Sequence, residues 1–167
     1  PFLSKPLGTL QKLAAKFNQK ILYMVPSPQQ YLFLKIKTST ADGLKGVKIR
    51  GADKQVIDIC NAAGMAGVII PWGELIPALA SGRIDGVATS ATSGVDGKFW
   101  EFLKYVYPTN HLVSCNMVNI NLDAWKKLPA SQQKAMEDIA TQLEPGFWEV
   151  SAQADRDAVK KLTDNGM

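Results

Sequence analysis

Between Val47 and Thr89 the chain alternates short apolar runs with segments of helical spacing, and no other feature limits its fold as much. The runs are "VKIR", "GVIIP" and "RIDGVAT", and between them lie "ADKQVIDICNAAG" and "WGELIPALASG". Runs of this length suit strands and are too short for helices. In the first intervening segment Asp53 is placed to cap a helix, Val56, Ile57, Cys60 and Ala63 share one face, and Gly64 supplies a stop. The second segment closes at Gly82. Strands joined by helices can lie parallel, because a parallel pair needs a long crossover. The pattern predicts an α/β fold with a mainly parallel sheet and flanking helices, with "DGKFWEFLKY" as a third helix.

The flanking regions differ in character. Ser4 and Pro6 mark a helix start, followed by Leu7, Leu10, Leu13, Ala14 and Phe17 at helical spacing. "KILYMV" (20–25) and "QYLFLKI" (30–36) read as strands, separated by a loop holding Pro26 and Pro28. "STADGLKG" reads as a turn or short helix, 110–122 as a long strand and "DAWKKL" as a short helix. After Pro129, Met136, Ile139, Ala140 and Leu143 mark a helix, and Phe147, Val150, Ser151, Ala154, Ala158 and Leu162 continue the spacing. Pro145 falls between them and predicts a kink or break. These terminal helices carry an apolar stripe with few strands to cover.

Composition narrows the function. The 167 residues suffice for one domain or two small lobes, and no apolar run has membrane-span length. The chain opens without an initiator Met or a signal-peptide pattern, so its compartment is not legible directly. The net charge of +4 is uneven, since residues 1–50 hold nine Lys/Arg and one acid, Asp42. Lys5, Lys12, Lys16 and Lys20 read as the solvated face of one helix, with no nucleic-acid motif beside them. A basic module binding nucleic acid through residues 1–50 is one of the competing functions. Cys60 and Cys115 lack metal-site spacing, which argues against a zinc centre and for free thiols. No cofactor motif is present.

The stretch "IDGVATSATSGVDGKFW" (84–100) resembles an anion loop, but it fails the phosphate-loop test. Thr92 stands where the first glycine belongs and Phe99 where a magnesium-binding hydroxyl belongs. His111, the sole histidine, would need Asp85 or Glu74 within reach to act as a base, and this defines the enzyme alternative, a hydrolase or lyase. A different group of residues falls at the ends of successive parallel strands: Arg50, Trp72, Thr89 and Ser90. Ligand crevices of open α/β sheets lie at such ends, and the guanidinium fork matches carboxylates. Pairing of Arg50 with Asp53, core packing of Trp72, and turn chemistry at Thr89 and Ser90 are the structural alternatives.

The pieces "LKGVKIR", "PWGELIPAL", "GRIDG", "FWEFLKY" and "LDAWKKLPASQQKA" are collinear and together resemble the solute-binding subunit of TRAP (tripartite ATP-independent periplasmic) transporters. The resemblance implies a two-lobed α/β binding protein. Residues 1–37 would be the end of lobe one and a crossing strand. Residues 38–112 would form the ligand-binding lobe two, and residues 113–167 the returning strand and a long kinked helix of lobe one. It also implies that the N-terminal part of lobe one is absent. Arg50 falls on the family's carboxylate-binding arginine. Thr89 and Ser90 stand near where many members carry an asparagine, and no second basic group matches around Gln29–Leu32. Trp72 matches an aromatic position, Ser93 and Asn116 add polar contacts, and His111 lies at the cleft rim. The implied partners are a small organic acid and the TRAP membrane subunits, in the periplasm, with no nucleic acid. Association through the uncovered face of lobe one follows from the missing part.

Overall fold

The computed structural model describes the backbone of residues 4–112 and 115–167, and side chains from residue 8 onward. Lys5 and Leu7, as side chains, and Val113 and Ser114 of the predicted long strand lie outside the described residues. The strands are β1 (Gln19–Pro26), β2 (Gln30–Leu34), β3 (Lys48–Gly51), β4 (Ala66–Ile69), β5 (Gly86–Ser90), β6 (Tyr105–Tyr107) and β7 (Cys115–Asn121). The α-helices are α1 (Ser4–Lys16), α2 (Lys54–Ala62), α3 (Trp72–Ala80), α4 (Ala91–Asp96), α5 (Leu122–Lys127) and α6 (Ala130–Asp164). The chain divides into two compact units, Pro1–Ser27 with Ser114–Ser151, and Pro28–Val113 with Ala152–Met167.

The second unit is built on a five-stranded sheet in the order β4-β3-β5-β2-β6. β3 lies parallel to both β4 and β5, so the predicted βαβαβ core is present. β2 enters antiparallel between β5 and β6, with Leu32 opposite both Ala88 and Tyr107. The sheet is therefore mixed, more so than the strand–helix alternation implied. Both faces are covered. Phe33, Val87, Leu75, Leu79, Phe99 and the α6 residues Ala158 and Leu162 form one cluster. Leu34, Ile49, Ala88, Val56 and Cys60 form the other.

Local signals in this unit operate as the sequence implies. Asp53 Oδ1 accepts from Val56 N–H at 3.0 Å and starts α2, whose buried residues are Val56, Ile57 and Cys60. Gly64 and Gly82 take positive φ, +82° and +70°, after α2 and α3, a backbone region that penalises a Cβ. The helix expected over "DGKFWEFLKY" is absent. The Ser90 hydroxyl starts α4 earlier, and Lys98 at φ 47° ends right-handed winding before a single 3₁₀ turn, Phe99–Glu101. Phe99 and Leu103 are buried at a four-residue spacing that imitates a helix stripe.

In the first unit β1 and β7 pair antiparallel, Gln19 to Pro26 against Asn121 to Cys115. The Gln11 side chain bonds both the N–H and the carbonyl of Ile21, tying α1 to β1. Lys12 and Lys16 are exposed on α1, but Lys20 is not on that face. It lies in β1, pairs with Glu137 at 2.8 Å and sits 4.9 Å above the Trp125 ring. α6 runs unbroken for 35 residues through Pro145. One lost hydrogen bond is outweighed by packing on both sides, with Ala140 buried and Phe147 stacked 5.3 Å from Tyr23 before the division, and Ala158 and Leu162 buried after it.

Candidate functional site

In the five-stranded sheet the chain leaves β3 through α2 toward β4 on one side. It leaves β5 through α4 toward β6 on the other. The carboxyl ends of β3 and β5 are thus adjacent where the connections diverge, the arrangement that opens a crevice in α/β sheets. Arg50 is the penultimate residue of β3, and Thr89 and Ser90 end β5. Trp72 opens α3, separated from β4 by Ile70 and Pro71. The structure brings these four predicted residues, with Ser93, to one edge of one unit. Asn116 belongs to the other unit, exposed on β7 opposite Val25.

Arg50 is 6% exposed. Its Nε–H donates to the Ile70 carbonyl at 2.9 Å. Burial lowers its pKa, while the field of Asp53 opposes that shift. A guanidinium stays charged under such a shift. The expected surface alternative, an Arg50–Asp53 ion pair, is not formed among the described residues, and Asp53 instead caps α2. Arg50 pairs in register with Val87, so strand alternation puts it on the same sheet face as Thr89 and Tyr31.

The hydroxyls divide into two kinds. Ser90 Oγ accepts from Ser93 N–H at 3.2 Å and contacts Thr92 Oγ1 at 2.9 Å and Ser93 Oγ at 3.0 Å. Ser90 and Ser93 therefore hold the start of α4. Thr89, half-buried, has no hydrogen bond through its hydroxyl among the described residues. Trp72 is 46% exposed, its ring centroid 6.4 Å from that of buried Phe99. It is part core and part surface.

His111 meets no acid among the described residues. Its Nδ1 lies 2.7 Å from Thr109 Oγ1, and its Nε2 is buried without a partner among the described residues. Burial pushes its pKa down, so the ring is neutral near pH 7. The neighbouring Asn110 N–H bonds Gln30 O, and Gln30 pairs with Ser90, which puts this segment at the carboxyl end of β5. Asp85 precedes β5 at its other end, roughly five residues or ~16 Å of strand away. The His111–Asp85 arrangement of the enzyme alternative is contradicted. Glu74 lies exposed in the first turn of α3 without contact to His111 among the described residues.

Two features of the site were beyond sequence reading. One is the Ile70 carbonyl as the anchor of Arg50, since a backbone acceptor leaves no residue signature. The other is Tyr31, whose hydroxyl donates to Asp155 Oδ2 at 2.8 Å from 124 residues away. Cys60 is buried and Cys115 half-buried, both free, with burial raising both thiol pKa values. No group of acids, histidines and cysteines suited to a metal occurs among the described residues, and no helix there is long and apolar enough to cross a membrane.

The family model described as bacterial extracellular solute-binding protein, family 7, matches residues 5–167. A solute-binding protein from Verminephrobacter eiseniae is 30% identical over 122 residues, 72% of this chain and 36% of that one. The crystal structure of DctP6, a Bordetella pertussis extracytoplasmic solute receptor binding pyroglutamic acid, superposes with a TM-score of 0.90 at 29% identity. The match covers 96% of this chain and 53% of that one. A marine-metagenome TRAP solute-binding protein specific for pyroglutamate matches at a TM-score of 0.89 and 25% identity, over 99% of this chain and 54% of that one. The chain thus spans about half the length of these solved structures. With nearly every residue inside the family model and the fold shared with its receptors, the chain belongs to the TRAP solute-binding proteins of family 7.

Proposed function

We propose that this chain is the ligand-binding portion of a periplasmic TRAP solute-binding subunit that captures a small organic carboxylate and delivers it to the membrane subunits. One observation carries the reading: a buried arginine, pinned by its Nε–H, stands at the divergence of β3 and β5. A guanidinium fixed through one nitrogen is pre-oriented, so less freedom is lost when a carboxylate binds the remaining donors. Trp72 offers an apolar surface to the body of the ligand. Thr89 offers a hydroxyl, and Ser90 and Ser93 tune selectivity through the shape of the α4 start. No covalent step and no cofactor is involved.

Pyroglutamate, the ligand of two of the similar receptors, is the first acid to test. A thermal-shift panel of organic acids should show a rise in melting temperature with the cognate acid, because a ligand that binds only the native state stabilises it. A panel in which no carboxylate raises the transition, repeated by calorimetry, overturns the reading.

Association through the first unit's apolar face is a separate reading. A groove of about 220 Å³ lined by Leu22, Tyr23, Met136, Ile139 and Leu143 supports it, with Ile139 and Leu143 exposed. Sedimentation that stays monomeric across concentration rejects it.

A further inference from the structure

The run Gly97-Lys98-Phe99 is neither a phosphate loop nor a helix, yet its backbone is unusual. Lys98 adopts φ 47°, the left-handed conformation that glycine normally supplies after a helix. The glycine instead stands one residue earlier, at φ −84°, where the backbone does not require it. Phe99 does require it. A Cβ on Gly97 would lie 2.4 Å from Phe99 Cε1 and 2.9 Å from Cδ1. Gly94 repeats the pattern one turn earlier, since a Cβ there would lie 2.8 Å from both Cε1 and Cζ of Phe33.

Two glycines thus let α4 rest directly on two aromatic rings. Phe33 and Phe99, both fully buried, meet edge to face at 5.1 Å and 85°. Phe99 in turn meets the half-exposed Trp72 at 6.4 Å and 37°. Trp72 follows Ile70, the anchor of Arg50, by two residues. An aromatic row therefore runs from Phe33 on β2 through Phe99 to Trp72 at the start of α3, two residues past the anchor of Arg50.

We infer that Phe99, seated by Gly97, is a positioning residue for Trp72. It fixes the indole at the start of α3, two residues past the Ile70 anchor of Arg50, and so sets the size of the apolar body that a bound carboxylate can carry. The selectivity part of this inference rests on the proposed capture of an organic acid. The geometric part does not. A ring backed by a fully buried neighbour cannot retreat, so Trp72 acts as a wall that favours compact, ring-sized acids over long aliphatic ones.

The test labels the four tryptophans with 5-fluorotryptophan and assigns Trp72 by its loss in Trp72→Phe. Without any added acid, Gly97→Ala and Phe99→Leu should each shift the Trp72 fluorine resonance and leave those of Trp125 and Trp148 in place. Circular dichroism confirms that each variant folds, and Phe99→Leu adds no atom, so it serves if Gly97→Ala does not fold. With pyroglutamate as probe, Gly97→Ala should weaken binding at least fivefold, but less than twofold in a Trp72→Ala background. An unmoved Trp72 resonance in the folded variants, or equal weakening in both backgrounds, overturns the inference. A moved resonance in a chain that takes no organic acid upholds the positioning of Trp72 and overturns the capture reading instead.

Discussion

Arg50 Nε and the Ile70 carbonyl oxygen stand 2.9 Å apart, joining β3 to the residue that follows β4. This bond orients a buried charge and ties it to the segment that begins α3 and presents Trp72. Its energetic meaning follows from the burial: a charge taken out of water needs hydrogen-bond partners, and the Ile70 carbonyl supplies one.

Replacing Arg50 should therefore affect binding more than any other change at this edge. Arg50→Ala is expected to weaken carboxylate binding by at least tenfold, since truncating one partner of a buried charge pair costs on the order of 2–5 kcal/mol. Arg50→Lys keeps a charge but has no Nε–H for Ile70 and no fork, so it should also lose most of the affinity. Calorimetry with the acid found in the thermal-shift panel checks both, and equal affinities would remove Arg50 from the site.

Ser90→Ala should destabilise the second unit by about 1 kcal/mol, the usual loss on removing a helix cap. Ser90 Oγ is the acceptor for Ser93 N–H, and its own contacts to Thr92 and Ser93 vanish with it. Thr89→Val should leave stability nearly unchanged while altering ligand preference. Denaturant melts of the two variants separate the roles. A stable Ser90→Ala would show that the cap is dispensable.

Lys98→Gly should stabilise the chain. The left-handed conformation at φ 47° costs a lysine roughly 1 kcal/mol, part of which glycine returns to the unfolded chain as entropy. A net gain of about 0.5 kcal/mol is expected in chemical denaturation, whereas Gly97→Ala should lose stability through the clash with Phe99. A loss in Lys98→Gly would contradict the strain.

The Tyr31–Asp155 bond should show in the pH dependence. Burial and then the bond to Asp155 push the Tyr31 hydroxyl up to about 12. Its ordinary value is about 10. The folded state favours the protonated phenol, so this contribution is whole below about pH 10 and fades as pH rises toward about 12. Tyr31→Phe should cost about 1 kcal/mol near neutral pH. The gap between variant and parent should narrow at alkaline pH. A gap that does not vary with pH would detach the bond from stability.

Much of the fold was legible because its causes are local. The cap at Asp53, the stops at Gly64 and Gly82, and the strand–helix alternation from Val47 to Ser90 all act within a few residues, and each is where the sequence implied. The helix expected at "DGKFWEFLKY" fails for an equally local reason. Phe99 and Leu103 recur at helical spacing because each faces the same core, not because the backbone between them winds. At Pro145 the break does not occur: a local breaker sits inside α6, and the helix continues through it.

The sequence by itself determined that Arg50, Thr89 and Ser90 would stand at strand ends and Trp72 just past one, since strand ends are set by short-range patterning. Only the tertiary structure decided that β2 would lie antiparallel against β5, that Ile70 would anchor Arg50, and that Asp155 would meet Tyr31. The first two rest on register and on a backbone carbonyl, which leave no trace in residue type, because every residue offers a carbonyl and strands of like composition can pair in several registers. The third joins two side chains 124 positions apart, a separation that no local pattern spans.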